Sequence, residues 1–162
     1  MLNQELTWDQ LADALIRFNV LRSEARDDAM ALHLLDGALE SLFGASRRLI
    51  VYGSLTPSGP NHRLLEGLDG EWREGWVTGE LLEQGWSAAM SYPALRWCPE
   101  GGEIPAYLFI SDDLPRHWSR LDDFEGLEYE RILAPFQDRE GGLYVGNVYA
   151  MECDLRMGQA GV

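Results

Sequence analysis

A chain of 162 residues is about one domain long, and 46% hydrophobic residues give it enough apolar surface to bury its own core. Its 13 basic residues, all arginine, face 27 acidic ones, and a net charge of −14 repels phosphate backbones, so nucleic acid is not an expected partner. No apolar run nears the ~20 residues that cross a bilayer, and an N-terminus bearing Glu5, Asp9 and Asp13 lacks the basic start of a signal peptide; a soluble, cytoplasmic protein with no membrane contact is expected.

Thr7-Trp8-Asp9-Gln10 reads as a helix N-cap with Gln at the third helical position, and Leu11, Leu15, Phe18 and Leu21 follow at helical spacing, predicting a helix over 8–22. Ser23 is positioned to cap a second helix with Glu24 in its first turn, and Met30, Leu34, Leu35, Leu39, Leu42 and Phe43 form one apolar stripe before Gly44. From Arg47 the pattern changes. Apolar β-type runs at Leu49–Tyr52, Glu71–Leu82, Ile104–Ile110, Tyr129–Phe136 and Leu143–Met151 alternate with Gly, Pro and Asp/Asn turns. Asn61–Glu66 suits a short helix, and Ser111 to Pro115 opens another that turns Trp118 and Leu121 inward. This order predicts an α+β fold whose twisted sheet closes or nearly closes into a small barrel, divided as an N-terminal αα-hairpin (1–46), a barrel domain (47–156) and a C-terminal tail (157–162).

Chemistry concentrates at two places. Tyr52-Gly53-Ser54-Leu55 ends a buried-type strand in glycine, so successive N–H groups of Gly53, Ser54 and Leu55 can converge on a carboxylate; locally the same residues also read as a plain turn. Leu121-Asp122-Asp123-Phe124-Glu125-Gly126 sets Glu125 between two apolar anchors, Leu121 and Phe124, and a glycine. There it is either a desolvated acid with a raised pKa or an exposed one, the role expected for Asp122, Asp123, Glu128 and Glu130.

Taken in series, Tyr52-Gly53-Ser54-Leu55, Gly59-Pro60-Asn61-His62, Val77-Thr78-Gly79-Glu80-Leu81, Tyr92-Pro93-Ala94 and Leu121 to Gly126 with Tyr129 and Arg131 resemble the γ-glutamylcyclotransferase family, including its γ-glutamylamine branch, over roughly 48–152. The resemblance implies a small mixed β-barrel of the γ-glutamylcyclotransferase-like type with flanking helices and no cofactor. It implies that Tyr52, Gly53, Ser54 and Leu55 bind the glutamyl group of a small γ-glutamyl substrate, that Glu125 is catalytic, and that Tyr129 and Tyr149 line the pocket. The product would be 5-oxoproline plus a free amine.

Other residues have plainer readings. Ser54 lacks the Gly-x-Ser-x-Gly elbow of a nucleophile, His62 suits a capping or structural role, and Trp72 and Trp76 share one strand face as packing residues. Cys98 and Cys153 show no metal-ligand spacing, and the three histidines are scattered, so thiols and no metal are expected. The 1–46 hairpin lies outside the resemblance; its stripes are candidates to cover the barrel, lid the pocket or join two chains as a homodimer. Substrate choice is expected of the loops around Gln84–Ser91 and Trp97–Glu103. Two alternatives stand beside turnover: a non-catalytic module that binds a small carboxylate, and an interaction protein acting through the N-terminal helices.

Overall fold

The computed structural model describes residues 6–82, 94–126 and 129–151. Its strands are β1 (Arg48–Val51), β2 (Glu71–Leu82), β3 (Ala94–Trp97), β4 (Gly102–Ile110), β5 (Tyr129–Asp138) and β6 (Leu143–Met151). They hydrogen-bond in the order β3-β2-β4-β1-β6-β5, and a further β2–β5 pairing closes five of them into a barrel with β3 as an extra strand on β2. Only β1 and β6 run parallel; the other neighbours are antiparallel.

The register assigns faces. Ile50, Val77, Ile104, Ala106, Leu108, Ala134, Phe136 and Val148 point into the barrel and are buried there. Glycines make so narrow a barrel closable: a Cβ on Gly75 would overlap the main chain of Gln137 at the β2–β5 seam, and one on Gly146 would crowd Ile50 and Leu108 at 3.0 and 3.2 Å. The residues between them, such as Leu49, Val51, Phe109 and Tyr149, face outward into a second apolar layer shared with Leu65, Leu114, Trp118 and Leu121. A strand buried on both sides explains why β1 reads as a continuous apolar run.

Helix α1 (Trp8–Glu24) starts where the sequence places it: Thr7 Oγ1 accepts from the Gln10 N–H at 3.2 Å and Gln10 Oε1 accepts from the Thr7 N–H at 3.1 Å. Leu11, Ala12 and Leu15 bury against the barrel, and Asn19 fastens the helix to β5. Its amide donates to the Leu133 carbonyl at 2.8 Å and accepts from the Leu133 N–H at 2.9 Å.

Helix α2 (Ala29–Phe43) departs from expectation. Ser23 does not cap it, because α1 continues through Glu24; Asp28 takes extended backbone and accepts from the Ala31 N–H at 3.1 Å. Nor is its apolar stripe buried as one. Leu39 packs inward, whereas Met30, Leu34 and Leu42 are exposed at 75%, 67% and 44%. Among the described residues no helix is long and apolar enough to cross a membrane.

Two further helices matter to the site: α3 (Arg63–Glu66), and α4 (Trp118–Glu125), which follows a short turn of 3-10 helix at Leu114–Arg116. β3 was not expected as a strand; it occupies part of the stretch read as a substrate-selecting loop, since Trp97 ends it. Of that reading's other residues, 98–101 link β3 to β4 and Gly102 and Glu103 open β4, while Gln84–Ser91 lies outside the described residues, as do Tyr92, Pro93, Glu128 and Cys153.

Candidate active site

The parallel strands β1 and β6 end at the same side of the barrel, and there β5 begins and α4 finishes. The loop after β1 folds on itself. The carbonyl of Gly53 accepts from the Thr56 N–H at 3.1 Å and the Thr56 hydroxyl at 2.8 Å; that of Ser54 accepts from the Asn61 N–H at 2.9 Å; and that of Leu55 meets His62 Nδ1 at 3.3 Å. The carbonyls are thus spent inside the loop, while the N–H groups of Gly53, Ser54 and Leu55 meet no acceptor among the described residues. A run of N–H groups left without internal acceptors is the arrangement an anion-binding loop requires. Gly59 is required for its closure, because a Cβ there would overlap the Ser54 carbonyl. His62 has the structural role expected of it, though through its ring rather than as a side-chain cap: it also packs on Trp72 at 5.3 Å, which in turn stacks on Phe109 at 4.6 Å.

Tyr52 sits at the head of the loop. Its hydroxyl donates to the main-chain carbonyl of Tyr149 at 2.7 Å and accepts from the Leu95 N–H at 2.9 Å, so the ring is pinned between β6 and β3. Burial raises its pKa beyond the ordinary range for a phenol, and Glu125 and Tyr129 add to that shift.

Glu125 is the last residue of α4, and the helix stops there because Gly126 adopts φ 81°, ψ −174°, a conformation open to glycine. At 100° per residue Trp118, Leu121 and Glu125 fall on one face, and Trp118 and Leu121 are buried. Phe124 falls off that face and is 37% exposed, so the expected second anchor is not one; Trp118 takes its place. Burial pushes the Glu125 carboxyl up to about 7. Burial, and then Asp122, raise the pKa of Tyr149, and the charge of Glu125 adds a smaller push to both phenols. Tyr52, Glu125, Tyr129 and Tyr149 are therefore gathered at one end of the barrel, with the Gly53 to Leu55 amides next in the chain to Tyr52.

Asp122 corrects the sequence reading of an idle surface acid. Its carboxylate accepts from Arg131 Nε at 2.9 Å and Nη2 at 3.3 Å, and from the Tyr149 hydroxyl at 2.6 Å. The signal was present: Asp122 precedes Glu125 by three residues, close to one helical turn, and Arg131 follows in the next strand. Asp123 is exposed as expected.

A family model described as gamma-glutamyl cyclotransferase, AIG2-like, matches residues 49–159. The chain belongs to that family. Members are cyclotransferase-like enzymes, and the α+β barrel with flanking helices is the fold shared with an AIG2-like protein from Mus musculus: 24% identity, TM-score 0.53, over 65% of this chain and 76% of the mouse chain. YkqA from Bacillus subtilis is similar at 24% identity and TM-score 0.51, over 66% of this chain but 36% of the Bacillus one. No curated protein sequence matches. The matched segment begins within β1, so α1 and α2 precede the part that defines this cyclotransferase family.

Proposed function

We propose that this cyclotransferase converts a γ-glutamyl amide or γ-glutamyl amino acid to 5-oxoproline and the free amine, with Glu125 as the proton carrier. The observation that supports it most is a partly buried carboxyl with a pKa of about 7 whose charge reaches two phenols, one of them, Tyr52, leading into the loop of Gly53 to Leu55. A γ-glutamyl compound carries the electrophile and the nucleophile in one molecule: attack of the α-amine on the γ-carbonyl closes a five-membered ring. At neutral pH that amine is an ammonium and cannot attack. Ionised Glu125 takes a proton from it; the amine then adds to the carbonyl, and Glu125-H returns the proton to the departing nitrogen as the C–N bond breaks. The second proton of the former ammonium leaves with the same amine, so the sum is 5-oxoproline plus a protonated amine. This route draws on no side-chain nucleophile, metal or organic cofactor.

The loop contributes positioning. N–H groups of Gly53, Ser54 and Leu55 suit the substrate's α-carboxylate or the oxyanion that forms at the γ-carbon, and the Ser54 hydroxyl adds a donor. The test is direct: incubate the protein with a panel of γ-glutamyl amides and amino acids and follow 5-oxoproline by mass. Turnover in the wild type should vanish in Glu125→Gln with the fold intact, and kcat/KM should rise with pH through a midpoint near 7 as the base form appears. A normal rate in Glu125→Gln would refute the role given to that residue.

A further inference from the structure

Tyr149 and Arg131 stand directly opposite one another in the β5–β6 ladder, on the outer face of the barrel beneath α4. Arg131 is pinned from several sides. Its guanidinium lies 4.4 Å from the centre of the Trp118 ring, Nη1 donates to Asn147 Oδ1 at 3.4 Å, and Nε and Nη2 hold Asp122. The pinning groups are themselves anchored to main chain, Trp118 Nε1 donating to the Ser46 carbonyl and Asn147 Nδ2 to the Ala45 carbonyl, at 2.8 and 2.7 Å. Asp122 thus has one free task, and the 2.6 Å bond from the Tyr149 hydroxyl shows what it is.

An ionised carboxylate has no proton to give, so Tyr149 must be the donor in that bond. Its phenol oxygen is left with lone pairs only, near the Glu125 carboxyl. A neutral, freely rotating phenol would offer its proton or its lone pairs as the ligand required; this one offers lone pairs alone. Such an oxygen receives N–H groups and turns away acceptors.

We propose that Asp122 is a positioning residue that locks Tyr149 as a hydrogen-bond acceptor for the substrate's α-ammonium beside Glu125, restricting the pocket to γ-glutamyl compounds with a free α-amine. This rests on the γ-glutamyl reading above. Arg131 serves the same end by holding Asp122 in place through two hydrogen bonds.

Binding to the full chain, in a Glu125→Gln background that prevents turnover, separates the alternatives. The ligands are a γ-glutamyl amide and the matching glutaryl amide, which lacks only the α-amine. Adding Asp122→Asn, whose amide can donate as well as accept, should weaken the γ-glutamyl ligand about tenfold or more and leave the glutaryl ligand unchanged. Tyr149→Phe should show the same selective loss, and combining the two should cost no more than Tyr149→Phe alone. Should an unpaired Arg131 unfold Asp122→Asn, the Asp122→Asn/Arg131→Gln chain removes both charges and carries the same readout. Equal weakening of both ligands, or additive losses in the double variant, would overturn the positioning role while 5-oxoproline release by the wild type left the parent reading standing. A wild type that neither binds nor converts the γ-glutamyl amide would overturn both.

Discussion

Glu125, the proposed proton carrier, should make the protein less stable as pH rises. Glu125 has a folded-state pKa of about 7 against an ordinary 4.5, with burial as the cause, so the folded chain holds its proton more tightly than the unfolded one. Between those values folding takes up a proton; the stability gained is fully present below 4.5 and is lost as pH climbs through 7. Integrating the linkage from pH 5 to pH 8 gives a loss of about 2.5 kcal/mol from this one group. Glutamine has the same shape and does not titrate. Thermal melts of wild type and Glu125→Gln at pH 5 and pH 8 should therefore show the variant's advantage in Tm growing by roughly 5–10 °C at the higher pH, at the 2–4 °C per kcal/mol usual for this chain length. Other titrating groups shift both proteins alike and cancel in the comparison. An advantage that stays the same within about 1 °C would mean that Glu125 titrates like an exposed acid, and the argument for its role in proton transfer would fail with it.

Other perturbations test the scaffold. Gly59→Ala should break the Asn61-to-Ser54 closure of the amide loop, costing about 1–3 kcal/mol in chemical denaturation and more than tenfold in kcat/KM; unchanged activity would show that the loop is not the substrate cradle. Asn19→Leu leaves the Leu133 N–H and carbonyl buried without partners and should lower stability by about 2–4 kcal/mol, with activity retained in the fraction that stays folded. A loss below about 0.5 kcal/mol in a urea melt would show that α1 is not clamped to β5 through this side chain.

What the sequence makes legible follows from how local each cause is. The Thr7–Gln10 box lies within four residues, and α1 begins there. β2 and β6 carry their own patterns, so their bounds, Glu71–Leu82 and Leu143–Met151, coincide with expectation. β3 is four residues long and exists because the far half of β2 offers it a ladder from Gly79 to Leu82. That cause is tertiary. Asp122 was missed for the same kind of reason: its partners, Arg131 and Tyr149, become neighbours only through the register of β5 against β6. The exposure of Met30 and Leu34 is likewise invisible to helical periodicity, which finds a stripe without saying whether anything covers it. Glu125 is singled out by its place in a motif, but its partly buried setting appears only in three dimensions, where it shares a face of α4 with Trp118 and Leu121.

The anchoring of Tyr52 is unusually tolerant. Both bonds of its hydroxyl go to peptide groups, the carbonyl of Tyr149 and the N–H of Leu95, and neither depends on which side chain stands there. Exchanging the side chain at 95 or 149 therefore leaves the Tyr52 ring tied, even where, as at 149, the side chain has a task of its own. Proline at 95, which has no N–H to give, is the substitution that cuts one of these ties. The tyrosine is hitched to the path of the chain, so whatever variation the side chains of β3 and β6 accept, the geometry at the head of the loop is inherited from the barrel itself.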